Sequence, residues 1–155
     1  MLDRVRRFLL FQAWIVWQGG FVFYAAVVVP VGTDVLGSPA LQGFVTQEVT
    51  GWLNVIGVAF HLLLAWDLAA ELGTRFRRLR IALGSISALL LLALFLLHPV
   101  LDSFLDPVEQ IVREPKVFYR WHNAYLWCST AQWVLALVQA WLAIDPFPRP
   151  SRGVS

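Results

Sequence analysis

The sequence predicts an all-α fold, an integral membrane four-helix bundle with both termini in the cytoplasm and short helical arms on the outer side. Three observations predict it. Of 155 residues, 59% are hydrophobic and only 14% are charged, a balance outside the range of soluble domains. Four uncharged segments approach or reach the roughly 20 apolar residues needed to cross a hydrocarbon core about 30 Å thick. The arginines cluster at alternate ends of these segments.

The first span runs from Leu9 to Val31. Arg4, Arg6 and Arg7 precede it in the manner of a signal peptide, but the charge-free stretch from Phe8 to Thr33 exceeds the roughly 7–15 residues of a cleavable apolar region. It therefore reads as a retained helix, ended by the turn-forming residues Gly32, Gly37 and Ser38. The second span covers Val49 to Trp66, within about 49–71, and Ser38-Pro39 supplies an N-cap and an N1 proline that start its helix earlier. The third span is Ile81 to Leu101, within about 80–101, and the fourth is Trp121 to Ile144, within about 117–144. All belong to one domain, 1–155, whose residues 145–155 form a Pro/Arg-rich cytoplasmic tail carrying Arg149 and Arg152.

Positive charge in short loops stays cytoplasmic. Arg75, Arg77, Arg78 and Arg80 fill the connection between spans two and three, whereas residues 32–48 hold no basic residue. Span one thus runs outward, and an even number of spans returns the chain to the cytoplasmic side of an inner membrane. Tryptophans prefer the interface; Trp52 and Trp121 fall at outer ends, and Trp14, Trp66 and Trp141 toward inner ends. Between spans three and four, Asp106-Pro107-Val108-Glu109 predicts a capped surface helix through Ile111 and Val112. Glu114-Pro115 starts the last helix in the same way.

Polar side chains inside the spans mark the faces that turn inward, because hydrocarbon offers them no partner. His122, Tyr125, Ser129, Gln132 and Gln139 share one face of span four, and Asn54, Gly57 and His61 share one face of span two. Span one contributes Gln12, Gln18, the close-packing pair Gly19-Gly20, and Tyr24. Span three carries Ser85, Ser87 and His98, the last just before Pro99. At about 1.5 Å per residue, His98 and His122 form the pair nearest one depth, joined by Asn54 and Tyr125. His61 lies deeper and faces Gln18 with Ser129 or Gln132. Asp67 and Glu71, one helical turn apart, face the arginine cluster and are expected to be solvated and to pair there.

Three readings of this polar interior stand open. It holds the bundle together or mediates assembly with another membrane subunit or a second copy; it binds haem b or copper through His122 with His98 or His61; or it serves a small transporter or proton relay. No protease, nucleotide or hydrolase motif is present, which leans away from an enzyme. The basic residues form no broad face for nucleic acid. Cys128, the only cysteine, excludes an internal disulfide.

The segments QGGFVFYAAVVVPVG, LQGFVTQEVTGWLNVIGVAFH and FYRWHNAYLWCSTAQW together resemble the four-helix membrane proteins of the transmembrane-protein-205-like group, which is distantly similar to the CopD-like copper-resistance and HemJ-like families. The resemblance covers most of the chain and implies a helical bundle with a histidine, here His122, near the outer end of the last helix. It also implies a tie to metal or haem handling. The chain differs from the pattern at Ser129, where an asparagine is expected, and in having no histidine in its first span.

Overall fold

The computed structural model describes residues 1–70 and 76–144. Its elements are α1 (Leu2–Phe23), a π-helical turn (Tyr24–Val28), α2 (Val29–Leu36), α3 (Pro39–Ala70), α4 (Arg77–Asp102), β1 (Leu105–Asp106), β2 (Ile111–Val112) and α5 (Pro115–Ile144). Four rods are long and apolar enough to cross a membrane: Leu2–Leu36, Pro39–Ala70, Arg77–Asp102 and Pro115–Ile144. The expected tail, with Arg149 and Arg152, lies outside the described residues, as do Glu71 and Arg75.

The first rod keeps its course through Pro30, whose nitrogen has no hydrogen to give the carbonyl four residues back. The chain widens just before it, so that the Val29 N–H reaches the Tyr24 carbonyl across a π-turn. Gly32 does not end this rod, contrary to the sequence expectation. The break comes at Gly37, which adopts a left-handed conformation at φ +66°. Gly32 remains helical and meets the side chain of Gln42, whose Oε1 would lie 1.9 Å from any added Cβ. A close approach, not a turn, requires glycine there. α3 starts as anticipated: Ser38 Oγ accepts the Leu41 N–H at 3.4 Å, and Pro39 occupies N1.

The connection from α4 to α5 is a correction. Asp106–Glu109 opens no surface helix; β1 and β2 pair antiparallel, Leu105 opposite Val112 and Asp106 opposite Ile111. Asp106 Oδ1 accepts the N–H groups of Val108 at 3.0 Å and Glu109 at 3.2 Å. A helix N-cap makes the same local bonds, so the sequence signal fits both. Gln110, at φ +55°, turns the chain back. Oδ2 accepts from the Arg113 guanidinium, at Nε across 3.1 Å and also at Nη2. The Glu109 amide first, then Arg113 and the Val108 amide, hold this carboxyl below the usual carboxylate range.

The rods pack with α1 against α3, α3 against α4 and α4 against α5, while α1 touches α5 more lightly. Leu10, Trp17, Phe60, Leu64 and Ala136 form the apolar core. Trp17 stacks on Phe60 with centroids 5.0 Å apart and meets the His61 ring edge-on at 5.8 Å. Gly57 makes room for it, since a Cβ there would stand 3.1 Å from the indole nitrogen. The polarity of the bundle is inverted relative to a water-soluble protein: Gln132 is fully buried, whereas Leu62 and Leu89 are about two-thirds exposed.

Candidate functional site

The inner face of α3 places Gln42, Thr46, Thr50, Asn54, Gly57, His61, Leu64 and Asp67 in one stripe at intervals of three or four residues. The other helices answer it with polar groups at three levels, separated by apolar packing.

At the arginine end, Asp67 receives two guanidinium groups. Arg6 Nε donates to Oδ1 at 3.0 Å and Arg80 Nη2 to Oδ2 at 2.8 Å. Arg6 also bonds Asp3 at 2.8 Å. Asp67 and Arg80 are each 2% exposed, so the expected pairing of Asp67 with arginine occurs, but in the interior and not in solvent. The reason is positional: Asp67 extends the buried stripe two turns beyond His61. Gln139 Nε2 donates to the Arg80 carbonyl at 2.6 Å. Beside it, Leu10, Trp14, Phe60, Arg80, Gln139 and Ala143 line a crevice that encloses about 10 Å³, room for roughly one water.

At the middle level, His61 does not meet Gln18, Ser129 or Gln132 directly. Its Nδ1 faces the Gly57 carbonyl at 2.7 Å and its Nε2 the Ser87 hydroxyl at 2.9 Å. A carbonyl only accepts, so Nδ1 carries the hydrogen and Nε2 accepts from Ser87. Gln132 Nε2 reaches the Ser87 backbone carbonyl at 3.2 Å. Gln18 instead joins α1 to α5, donating to the Trp133 carbonyl at 3.1 Å, and Trp14 does the same to Ala136 at 3.1 Å. Ser129 bonds back to the Tyr125 carbonyl at 2.9 Å. Gln18, Gln132 and Gln139 thus each staple a neighbouring helix through a backbone carbonyl, and each leaves its Oε1 buried without a hydrogen bond among the described residues.

At the hairpin end, of the four residues expected together, Asn54, Tyr125 and His98 lie near one another and His122 does not. Asn54 Nδ2 donates to the Tyr125 hydroxyl at 3.0 Å, and the rings of His98 and Tyr125 lie 6.5 Å apart. Tyr24 donates to Thr46 Oγ1 at 2.5 Å, linking the π-turn to α3. His98 Nε2 donates to the Gln47 carbonyl at 3.0 Å, and Nδ1 lies 2.9 Å from the Asp102 carboxyl, within hydrogen-bond distance. His122 stands apart from His98, stacked on Phe118 with centroids 5.6 Å apart and planes 15° from parallel. No hydrogen bond joins its ring to another described residue.

A bis-imidazole haem or a copper site needs imidazole lone pairs converging on one metal. These residues do not fit it: Ser87 takes the lone pair of His61, both nitrogens of His98 are engaged, and His122 points to a different neighbour. Among the described residues, no three His, Cys, Asp or Glu side chains gather as a ligand set. Of the glycines expected to allow close packing, Gly57 and Gly20 do so, a Gly20 Cβ falling 3.0 Å from Leu53; Gly19 faces open space. Ser87 and Asp102 are the groups whose partners the sequence did not indicate; for Asp67 it indicated the pairing with arginine but not the burial. Comparison of the chain with family models, with curated proteins and with solved structures finds no match.

Proposed function

We propose that this chain is a multi-pass protein of the cytoplasmic membrane, inserted with its arginine-bearing end on the cytoplasmic side, and that it serves as an accessory or assembly subunit without a resident cofactor. The observation that carries this reading is that interior donors are committed to neighbouring helices at each of the three levels, although Trp17 Nε1 and Gln42 Nε2 stay buried without a hydrogen bond among the described residues. Arg6 and Arg80 meet on Asp67, Ser87 meets His61, and Asn54 meets Tyr125. In hydrocarbon, hydrogen bonds between helices contribute about 0.6 kcal/mol each on average. Their larger effect is to fix register: Gln132 and Gln139, seven residues apart on α5, bond the carbonyls of Ser87 and Arg80, seven apart on α4. A slip of one turn would strand both.

Orientation follows from Arg4, Arg7, Arg77 and Arg78, which cluster beside the buried arginine level. The inverted polarity supports lipid as the surrounding medium, with leucines outward and glutamines inward. The experiment is a visible absorption spectrum and metal analysis of protein isolated from its native membrane. The reading expects only the 280 nm protein band (a region set by its aromatic residues) and no stoichiometric metal. A Soret band, or one copper per chain, lost in His122→Ala, would overturn it.

A further inference from the structure

The outward face of α1 carries a pattern that the bundle does not use. Leu9, Gln12, Val16, Gly19 and Phe23 recur at intervals of three and four residues, and all five are exposed. That is the spacing of a helix–helix seam. Among them Gln12 is anomalous. It lies six residues beyond Arg6, about 9 Å along the helix, and makes no hydrogen bond to any described residue. A primary amide facing hydrocarbon costs free energy unless another group satisfies it. One heptad further on, Gly19 leaves a notch with nothing within 4 Å of a built Cβ, so a second backbone can approach there.

We propose that α1 is the seam of a parallel homodimer, closed by reciprocal hydrogen bonds between the Gln12 side-chain amides of two copies, with the close backbone approach one heptad further on at Gly19. A second copy is the partner that the chemistry favours, for two reasons. An amide is its own complement, with one group that donates and one that accepts, so a two-fold axis along the membrane normal lets the pair exchange two N–H···O bonds. Identical insertion also places both Gln12 residues at one depth without any adjustment. The competing fate is for Gln12 to reach back to the cytoplasmic headgroups, the direction in which helical side chains lean on α1. The proposal rests on α1 crossing the membrane and is independent of the accessory role.

Disulfide cross-linking of the full chain in lipid vesicles tests it, in a Cys128→Ala background with a mild oxidant accepting the two thiol hydrogens and electrons. Val16→Cys is expected to give a dimer, and Leu89→Cys, equally lipid-facing on α4, is not. Adding Gln12→Leu to Val16→Cys should weaken association about tenfold, the worth of two interhelical hydrogen bonds. Gly19→Leu should abolish the cross-link while leaving the melting temperature of the monomer unchanged, since the notch is empty within one chain. No Val16 cross-link, equal cross-linking at Leu89, or an unchanged dimer in Gln12→Leu would each overturn the proposal, the last by assigning Gln12 to the headgroups. A cofactor in the isolated protein would instead overturn the accessory role and leave the seam standing.

Discussion

Replacing Asp67 by Asn removes one charge and almost no volume, yet it should be the most damaging conservative change in the molecule. Each carboxylate oxygen takes a guanidinium, at 3.0 and 2.8 Å, and the side chains of Asp67, Arg80 and Arg6 are 2%, 2% and 6% exposed. Asparagine offers a single acceptor, and its NH₂ confronts a second set of N–H donors. Breaking one partner out of a buried ion cluster costs about 3–5 kcal/mol, because the opposite charges stay desolvated. Asp3 remains on Arg6 from an exposed position, which places the expected loss near the lower bound, about 3 kcal/mol. For a chain of this size that is a drop of roughly 6–12 °C in melting temperature. Reversible unfolding in mixed micelles, followed by circular dichroism, measures it. The apolar triple replacement Arg6→Met, Asp67→Leu, Arg80→Met should lose much less, since it leaves no charge behind. A loss below about 1 kcal/mol in Asp67→Asn, the scale of an exposed ion pair, would refute the reasoning and put water at the carboxylate.

Three further outcomes follow from the packing. Ser87→Ala removes the donor to His61 Nε2 and should cost about 1 kcal/mol; ¹⁵N spectra of His61 should show the hydrogen on Nδ1 in the parent chain, and a hydrogen on Nε2 would contradict the assignment. Gly57→Ala places a methyl 3.1 Å from the Trp17 indole nitrogen and 3.3 Å from Leu91, so it should destabilise the bundle by about 1–3 kcal/mol, whereas Gly19→Ala, scored on the monomer, should not destabilise it. At the hairpin, the folded Asp106 carboxyl titrates below its ordinary value of 3.8. Its stabilisation is therefore fully present above that value and is lost as pH falls through the folded pKa. Hydrogen exchange at the Val108 and Glu109 amides should stay protected down to the ordinary carboxylate range, and loss of protection above about pH 5 would contradict the assignment.

The long elements were legible because their signal is summed over many residues. Each apolar span predicted from hydropathy lies within one described rod, apart from residue 71, and the Ser38-Pro39 cap located the start of α3 well before its apolar core. What failed were places where one local signal serves two geometries. Asp106 caps the next two N–H groups whether the chain goes on to a helix or a hairpin, and only the left-handed turn at Gln110 separates them. Gly32 reads as a breaker, but its role is set by Gln42, ten residues away and on another helix. In the candidate site, the Asn54–Gly57–His61 face of α3 and the nearness of Asn54, Tyr125 and His98 followed from helical period and depth, while His122, expected beside His98, stacks on Phe118. The partners of His61 and His122 did not follow, because depth alone cannot say how helices rotate against one another. The pairing of Asp67 with arginine was legible from the facing cluster, and its burial follows from continuing the α3 stripe from His61 through Leu64 to Asp67.

The central claim, that four rods cross a membrane with the arginine end in the cytoplasm, is tested most directly by cysteine accessibility in intact cells. In a Cys128→Ala background, Val108→Cys in the exposed hairpin should react with a membrane-impermeant thiol reagent before permeabilisation, and Arg78→Cys only after it. Labelling of both positions in intact cells, or of Arg78 alone, would contradict the account.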